Sequence, residues 1–321
     1  MHPRLALFLA PLILLSCAKI DETYKPTPDT SAESLRIYVT DFQNGRIVRF
    51  DDMGGTNWTT FGGIGSGSGQ FNHPWHFFVS TANSIIIADR DNNRIVKIDD
   101  MSGQNFSTFG TLGAGLNQFN NPSSVLVYLN KIYVLDHANC RIVRINDMTG
   151  AGWTEFGSPG SGTNQFTAPT DMAIDSAGRI YVTDTENSRI VRIDDLTGAN
   201  WTVFGSSGSG TNQFSSPIGI GLDSSDRIYI ADEHNNRIVR INTMAGDGWT
   251  TFGSVGSGEQ QLSLPHDVKV SASGRLYIVD TNNNRIVRIN GITGGGWISL
   301  GNPKSGNGTY QFEAPKGVFI R

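Results

Sequence analysis

Arg179-Ile180-Tyr181-Val182-Thr183-Asp184-Thr185-Glu186-Asn187-Ser188-Arg189-Ile190-Val191-Arg192-Ile193 reads as two β-rich runs joined by a polar turn. Ile, Val, Tyr and Thr suit a pleated surface. Asp184 and Asn187 carry short polar side chains that bond nearby backbone amides and hold a tight turn. The same core, Asp-x-x-Asn-x-Arg, recurs at Asp41-Asn44-Arg46, Asp89-Asn92-Arg94, Asp136-Asn139-Arg141, Asp184-Asn187-Arg189, Asp232-Asn235-Arg237 and Asp280-Asn283-Arg285. Successive Asp residues are 48, 47, 48, 48 and 48 positions apart. Two more series keep that register: Trp58, Phe106, Trp153, Trp201, Trp249, Trp297, and Pro74, Pro122, Pro169, Pro217, Pro265, Pro315. Three markers in one period establish an internal repeat.

Each unit holds four short β runs. In the fourth they are Met172-Ala173-Ile174 after Pro169, Arg179 to Thr183, Arg189 to Ile193, and Trp201 to Phe204. Four antiparallel strands in a unit of this length make a propeller blade. A solenoid would need capping units with a polar outer face, which are absent. The chain ends favour a closed ring. The first unit begins at Arg36-Ile37-Tyr38-Val39, a second strand without its first, and the sequence finishes with Pro315-Lys316-Gly317-Val318-Phe319-Ile320-Arg321, a first strand with nothing after it. The two fragments complete one blade and remove open sheet edges. The expected fold is therefore all-β: a six-bladed propeller of four-stranded antiparallel blades over residues 35–321.

Composition fits this reading. The chain has 17 Phe, 8 Tyr and 6 Trp, ample material for a core, which excludes general disorder. Its 38 Gly in 321 residues follow no three-residue period, which excludes a collagen-like chain. A net charge of −4 argues against a general nucleic-acid binder.

Residues 1–16 read as an export signal. Arg4 supplies a positive start, and Leu5 to Leu15 form an apolar run too short for the about 20 residues of a spanning helix. Leu14-Leu15-Ser16-Cys17 resembles the bacterial lipobox, which makes Cys17 the expected lipid-modified residue. Residues 17–34 are polar and contain Pro, as expected of a flexible tether between lipid and domain. The expected location is the cell envelope, with Ala18 after the cysteine favouring the outer membrane or cell surface. The chain has two cysteines, so a lipidated Cys17 leaves Cys140 without a disulfide partner.

The units resemble NHL repeats, with a Pro before a short apolar strand, an Ile-Tyr-Val-x-Asp run, an Asn, and Arg-Ile-x-x-Phe. The resemblance implies the propeller fold but not one function, because such propellers include scaffolds, sensors, RNA binders and a lyase. The residues before the repeat Arg are Gly45, Asn93, Cys140, Ser188, Asn236 and Asn284, a series that suggests a positive φ. Cys140 is then a turn residue, not a nucleophile. The Arg-Ile-Val-Arg strands hold twelve of the 25 Lys and Arg; we expect them to pair with neighbours such as Asp99, Asp100, Asp194 and Asp195. The Trp and Phe of the fourth strand are expected between blades, with a carbohydrate-stacking ring as the functional alternative. The loop Gly208-Ser209-Gly210-Thr211-Asn212-Gln213-Phe214 lacks the Gly-Lys-Ser/Thr and helix of a phosphate loop.

Positions that break the symmetry are the candidates for a site. Two residues after each blade Pro stand His76, Ser124, Asp171, Gly219, Asp267 and Gly317. His76, Asp171 and Asp267 fall on alternate blades and are expected to converge at the channel mouth, with His266 beside them. Such a set suits calcium or zinc, although no motif predicts a cofactor outright. In the peptidylglycine amidating lyases, which the blades also resemble, zinc is held by histidines directly after the blade Pro. Here those positions are Trp75, Ser123, Thr170, Ile218, His266 and Lys316, so only one ligand matches. The expectation is an exported, lipid-anchored binding or scaffold module for a protein, peptide or glycan, attached to the membrane through Cys17, with no nucleic-acid partner. The alternative is a metal-dependent lyase or hydrolase at the channel mouth.

Overall fold

The computed structural model describes residues 35–301 and 305–321; the signal segment, Cys17 and the tether lie outside them. Six four-stranded antiparallel sheets follow one another around a ring. Blade 4 shows the plan: Pro169–Ile174 innermost, then Ile180–Asp184, Arg189–Ile193 and, outermost, Thr202–Phe204. Blade 1 takes its inner strand, Val318–Ile320, from the end of the chain and its other strands, Ile37–Asp41, Arg46–Phe50 and Thr59–Gly62, from the beginning. The closing register sets Ile37 opposite Ile320 and Val39 opposite Val318.

There is no single central core. Side chains of successive strand residues point to opposite faces, and in a ring both faces meet a neighbouring blade. Ile180 and Val182 pack toward blade 3, with Tyr133, Leu135 and Ile142. Tyr181, between them, packs toward blade 5, with Ile220 and Ile228. This is why Ile-Tyr-Val-Thr-Asp is buried at every position and why the runs are continuously apolar. Six such layers complete the ring, including one between blades 6 and 1 that joins Tyr277 and Val279 to Ile37, Val39 and Val318. Trp201 lies against Phe156 and Phe166 from the preceding blade, with ring centroids 6.2 and 5.4 Å away. The outer Trp residues are therefore packing groups. The Gly-rich loops serve the same layers: their terminal residues, including Phe71, Phe119, Phe166, Phe214, Leu262 and Phe312, are fully buried.

The repeat turn works as a clamp. Asp232 Oδ1 accepts the Ser215 amide at 2.7 Å, and its Oδ2 accepts Asn235 Nδ2 at 2.9 Å and Arg237 Nε at 2.7 Å. Arg237 then donates to the carbonyls of Ser209 and Gln213 in the Gly-rich loop, at 2.7 and 2.9 Å, while lying over the Trp249 ring. All six repeat Arg residues bind their own turn Asp at 2.6–2.9 Å. The second Arg of the blade 1 strand, Arg49, does pair with its neighbour Asp51, at 3.1 Å, but for the first Arg of each strand this corrects the expected pairing with Asp99, Asp100, Asp194 and Asp195. Those carboxylates accept Asn105, Ser102, Asn200 and Thr197 within their own loops. The turns are single 3-10 turns ending at a residue with φ of 52° to 54° in five blades, and Gly45 has φ 59° in the other. Cys140 occupies one of these positions. Burial pushes its thiol up, the reverse of an activated nucleophile.

Breaking a buried ion pair leaves an uncompensated charge, which costs about 3–5 kcal/mol. Asp232→Ala is expected to lose stability on that scale in urea unfolding, while Ser188→Asn, which keeps a residue tolerant of positive φ, leaves the midpoint nearly unchanged. Removal of residues 315–321 opens the ring and strips the inner strand from blade 1. The expected outcome is loss of the cooperative thermal transition by circular dichroism, with association through the exposed edge of Ile37–Asp41 in light scattering.

Candidate functional site

The inner strands line the channel, and their chemistry begins at an irregularity. In blades 2 to 6 the ladder between the inner and second strands shifts just after the Pro. Such bulges re-aim side chains, and here they turn them toward the axis. His76, Asp171 and Asp267 are brought together: one ligand atom from each lies within 4.8 Å of the others. They do not sit at the mouth as expected. Their exposures are 7, 3 and 1%, which places them in a buried layer beneath it.

That layer already holds a cation. Lys269, also on the inner strand of blade 6, sends Nζ to Asp267 Oδ1 at 2.9 Å, Asp171 Oδ2 at 3.1 Å and the Ile220 carbonyl at 2.8 Å. All three ammonium protons find acceptors. The carboxylates are similarly occupied. Asp171 Oδ1 accepts Ser124 Oγ at 2.7 Å and the Met172 amide at 2.8 Å, and Oδ2 also accepts the Ile220 amide at 3.0 Å. Asp267 Oδ1 also accepts the Val268 amide at 2.8 Å, and Oδ2 accepts the Val318 amide at 2.9 Å. His76 Nε2 stands 3.5 Å from Asp267 and 3.9 Å from Asp171 and makes no hydrogen bond among the described residues. Burial alone would raise the Asp267 carboxyl, but the Lys269 ammonium and His76 outweigh it and hold it well below the usual carboxylate range. Burial alone would lower Lys269, but Asp171 and Asp267 keep it above an ordinary lysine. The network crosses the channel from blade 6 to blade 4. Gly219 permits this: a Cβ there would come within 2.5 Å of the His266 carbonyl oxygen and 2.6 Å of Asp267 Cα.

His266 does not join these ligands. Its Nδ1 donates to the Lys316 carbonyl at 3.0 Å, and its ring meets Trp75 at 4.8 Å. Burial, helped by the Lys316 charge, holds its pKa well below the ordinary value, so the ring is neutral and Nε2 is a bare acceptor. That nitrogen is buried and has no hydrogen-bond partner among the described residues. A cavity of about 10 Å³ separates this residue, Trp75 and Lys316 from the carboxylate layer, room for about one water. At the mouth itself Arg90 and Lys316 lie over Trp75, at 4.5 and 5.1 Å from the ring centroid.

In the sequence, Trp75 and Lys316 stand out only as positions after the blade Pro that do not match zinc-binding histidines, and Lys269 and Arg90 are not singled out. A signal was present. Four residues after each Pro stand Phe78, Leu126, Ala173, Gly221, Lys269 and Phe319, in which one residue is charged.

Lys269→Met is expected to leave two buried carboxylates facing each other, at a cost of about 3–5 kcal/mol near pH 7. The sign with pH follows from the shifts. The depressed Asp267 contributes stability above its unfolded value of about 4, and the raised Lys269 contributes below about 10. In the variant one carboxyl takes up a proton instead. The gap between wild type and variant therefore narrows as pH falls from about 7 to 5, measured by urea unfolding; a gap independent of pH would disprove the coupling.

A family model described as a 6-bladed beta-propeller matches residues 116–202, and the NHL repeat model matches 214–241 and 262–289. No curated protein matches the chain in sequence. Among solved structures, a nidogen/laminin complex superposes with a TM-score of 0.67 at 17% identity, covering 89% of this chain and 98% of that one. Virginiamycin B lyase from Staphylococcus aureus gives 0.59 at 18% identity, covering 92% and 90%. A protein of unknown function from Bacteroides caccae gives 0.63 at 14% identity, covering 89% and 98%. At these identities the likeness speaks for the fold alone. With the closed ring of repeats described above, the chain is a six-bladed β-propeller that contains NHL repeats at residues 214–241 and 262–289.

Proposed function

We propose that this propeller is a lipid-anchored binding module of the cell envelope, which takes a protein, peptide or glycan partner at the mouth of its channel. One observation carries the choice over a metal-dependent lyase or hydrolase. The Lys269 ammonium lies where a cation held by Asp171 and Asp267 would lie, and backbone amides, Ser124 and Lys269 occupy the carboxylate oxygens. A calcium or zinc ion there would have to displace an internal ion pair. The lyase among the structural neighbours shares the fold, and a fold does not carry an activity.

The entry point of the chain supports the anchored arrangement. Arg36 and Arg321 exchange backbone hydrogen bonds at the end of blade 1 opposite Lys316 and Asp41. With an anchor at Cys17, the described part of the chain would begin on the face away from the mouth, which is consistent with a mouth open to a partner.

Elemental analysis of the full chain, with and without Asp267→Asn, tests the choice. The expected result is no stoichiometric metal in either protein. About one calcium or zinc per chain, lost in the variant, would overturn the binding-module reading in favour of the enzyme. Palmitate labelling that disappears in Cys17→Ser is expected for the anchor.

A further inference from the structure

The rim of the mouth separates residues that hold the ring together from residues that do not. Each repeat turn begins with a side chain facing the next blade. In three blades it is pinned there: His137 Nδ1 donates to the Pro169 carbonyl at 3.0 Å, Thr185 Oγ1 to that of Pro217 at 2.7 Å, and Thr281 Oγ1 to that of Pro315 at 2.7 Å. The equivalent residues elsewhere are Phe42, Arg90 and Glu233, and none of them makes this bond. Directly after the blade Pro, Ser123, Thr170 and His266 reach carbonyls of the next blade, whereas Trp75, Ile218 and Lys316 do not. The unpinned residues gather as Phe42, Trp75, Arg90 and Lys316 on blades 1 and 2, with Ile218 and Glu233 on blade 5 across the mouth.

This arc is electrostatically incomplete. Lys316 Nζ lies 5.1 Å from the Trp75 centroid and 5.6 Å from that of Phe42, with no hydrogen bond or ion pair among the described residues. Burial pushes its pKa down, against the pull of Glu233 and with the help of Arg90. Arg90 Nη1 pairs with Asp91 at 3.1 Å, and its Nε is buried without a hydrogen-bond partner among the described residues, so Lys316 is the cation that lacks a counter-ion. Two neighbouring cations share one indole, and a desolvated charge without a partner favours an incoming counter-ion. Beneath them His266 Nε2 is a buried acceptor without a donor among the described residues, lining the same cavity as Lys316.

We propose that the mouth binds the carboxylate end of a peptide, the carboxylate meeting Lys316 beside Arg90 and the adjoining amide N–H reaching His266 Nε2 through the one water for which the cavity has room. The inference rests on the binding-module reading and names its ligand chemistry. The side-by-side demand for a counter-ion to Lys316 and a donor to one imidazole is met by a terminal carboxylate and its amide. A stacked sugar is disfavoured because Trp75 already carries Arg90 and Lys316 over its ring. Glu233 adds a negative charge across the mouth, which disfavours dianions and favours a free ammonium when the peptide is short.

The test is titration of the full chain with N-acetylglycylglycine, followed at the Trp75 indole N–H resonance, identified by its loss in Trp75→Phe. A saturable shift is expected, with none from N-acetylglycylglycinamide at the same concentration. Lys316→Met, checked for an unchanged melting curve, is expected to weaken binding by about tenfold or more, with Lys316→Arg restoring it. Glycylglycine separates the two sources of this chemistry. Tighter binding than the acetylated probe, lost in Glu233→Gln, assigns a small free peptide; equal binding assigns the end of a longer chain. No saturable shift, an equal response to the amide, or tighter binding of glucuronate would overturn the proposal. If the chain is metal-free and ignores every carboxylate, this site fails while the binding-module reading stands; a stoichiometric metal defeats that reading itself.

Discussion

The pairing of Val318–Ile320 with Ile37–Val39 is the contact on which the rest of the molecule depends. It joins residues almost the full chain length apart, so its loop-closure entropy is repaid only once the intervening blades are packed. It also leaves no blade with an unpartnered face. Every second strand can then be apolar on both sides, because the layer between blades 6 and 1 is as complete as the others. The same pairing carries Lys316 and Gly317 to the channel, where the Thr40 hydroxyl accepts the Gly317 amide at 2.6 Å. Closure and mouth chemistry are therefore one event.

Within the ring, stability and function draw on different residues of the same positions. Where a rim residue donates to the next blade, as His137, Thr185 and Thr281 do, it is consumed by the scaffold. Where it does not, as with Phe42, Arg90 and Glu233, the side chain stays at the mouth, Phe42 stacked on His73 and Arg90 paired with Asp91. The buried layer beneath is a third case. Asp171, Asp267 and Lys269 satisfy one another in a place where a bare carboxylate pair would be costly. Two small features make room for that network: Gly219, which lets blade 6 approach blade 5, and the bulge that swings Asp171 off its ladder.

Much of the molecule was legible in the sequence. The spacing of Asp-x-x-Asn-x-Arg and of the blade Pro counted the blades, and the unpaired half-units at Arg36 and Pro315 located the closure, because repeat period and strand number survive any detail of packing. The convergence of His76, Asp171 and Asp267 on alternate blades was also legible, since symmetry maps equal repeat positions onto equal places. Three things were not. The partners of the repeat Arg residues were misread, because the nearest carboxylate in sequence was not the nearest after the turn folded back. The depth of the polar layer was hidden by the bulge after each Pro. Lys269 was overlooked because its ammonium acts at a level other than that of its own Cα, at the end of a four-carbon stem.

The sequence by itself thus determined the repeat, the strand order and the closed ring, since these follow from local propensity and periodicity acting equally in every unit. Only the tertiary structure decided what occupies the channel. Whether two carboxylates meet a metal ion or an ammonium depends on distances between side chains from different blades, and Lys269, Asp171 and Asp267 meet because the ring is closed and Gly219 brings two of its blades close together.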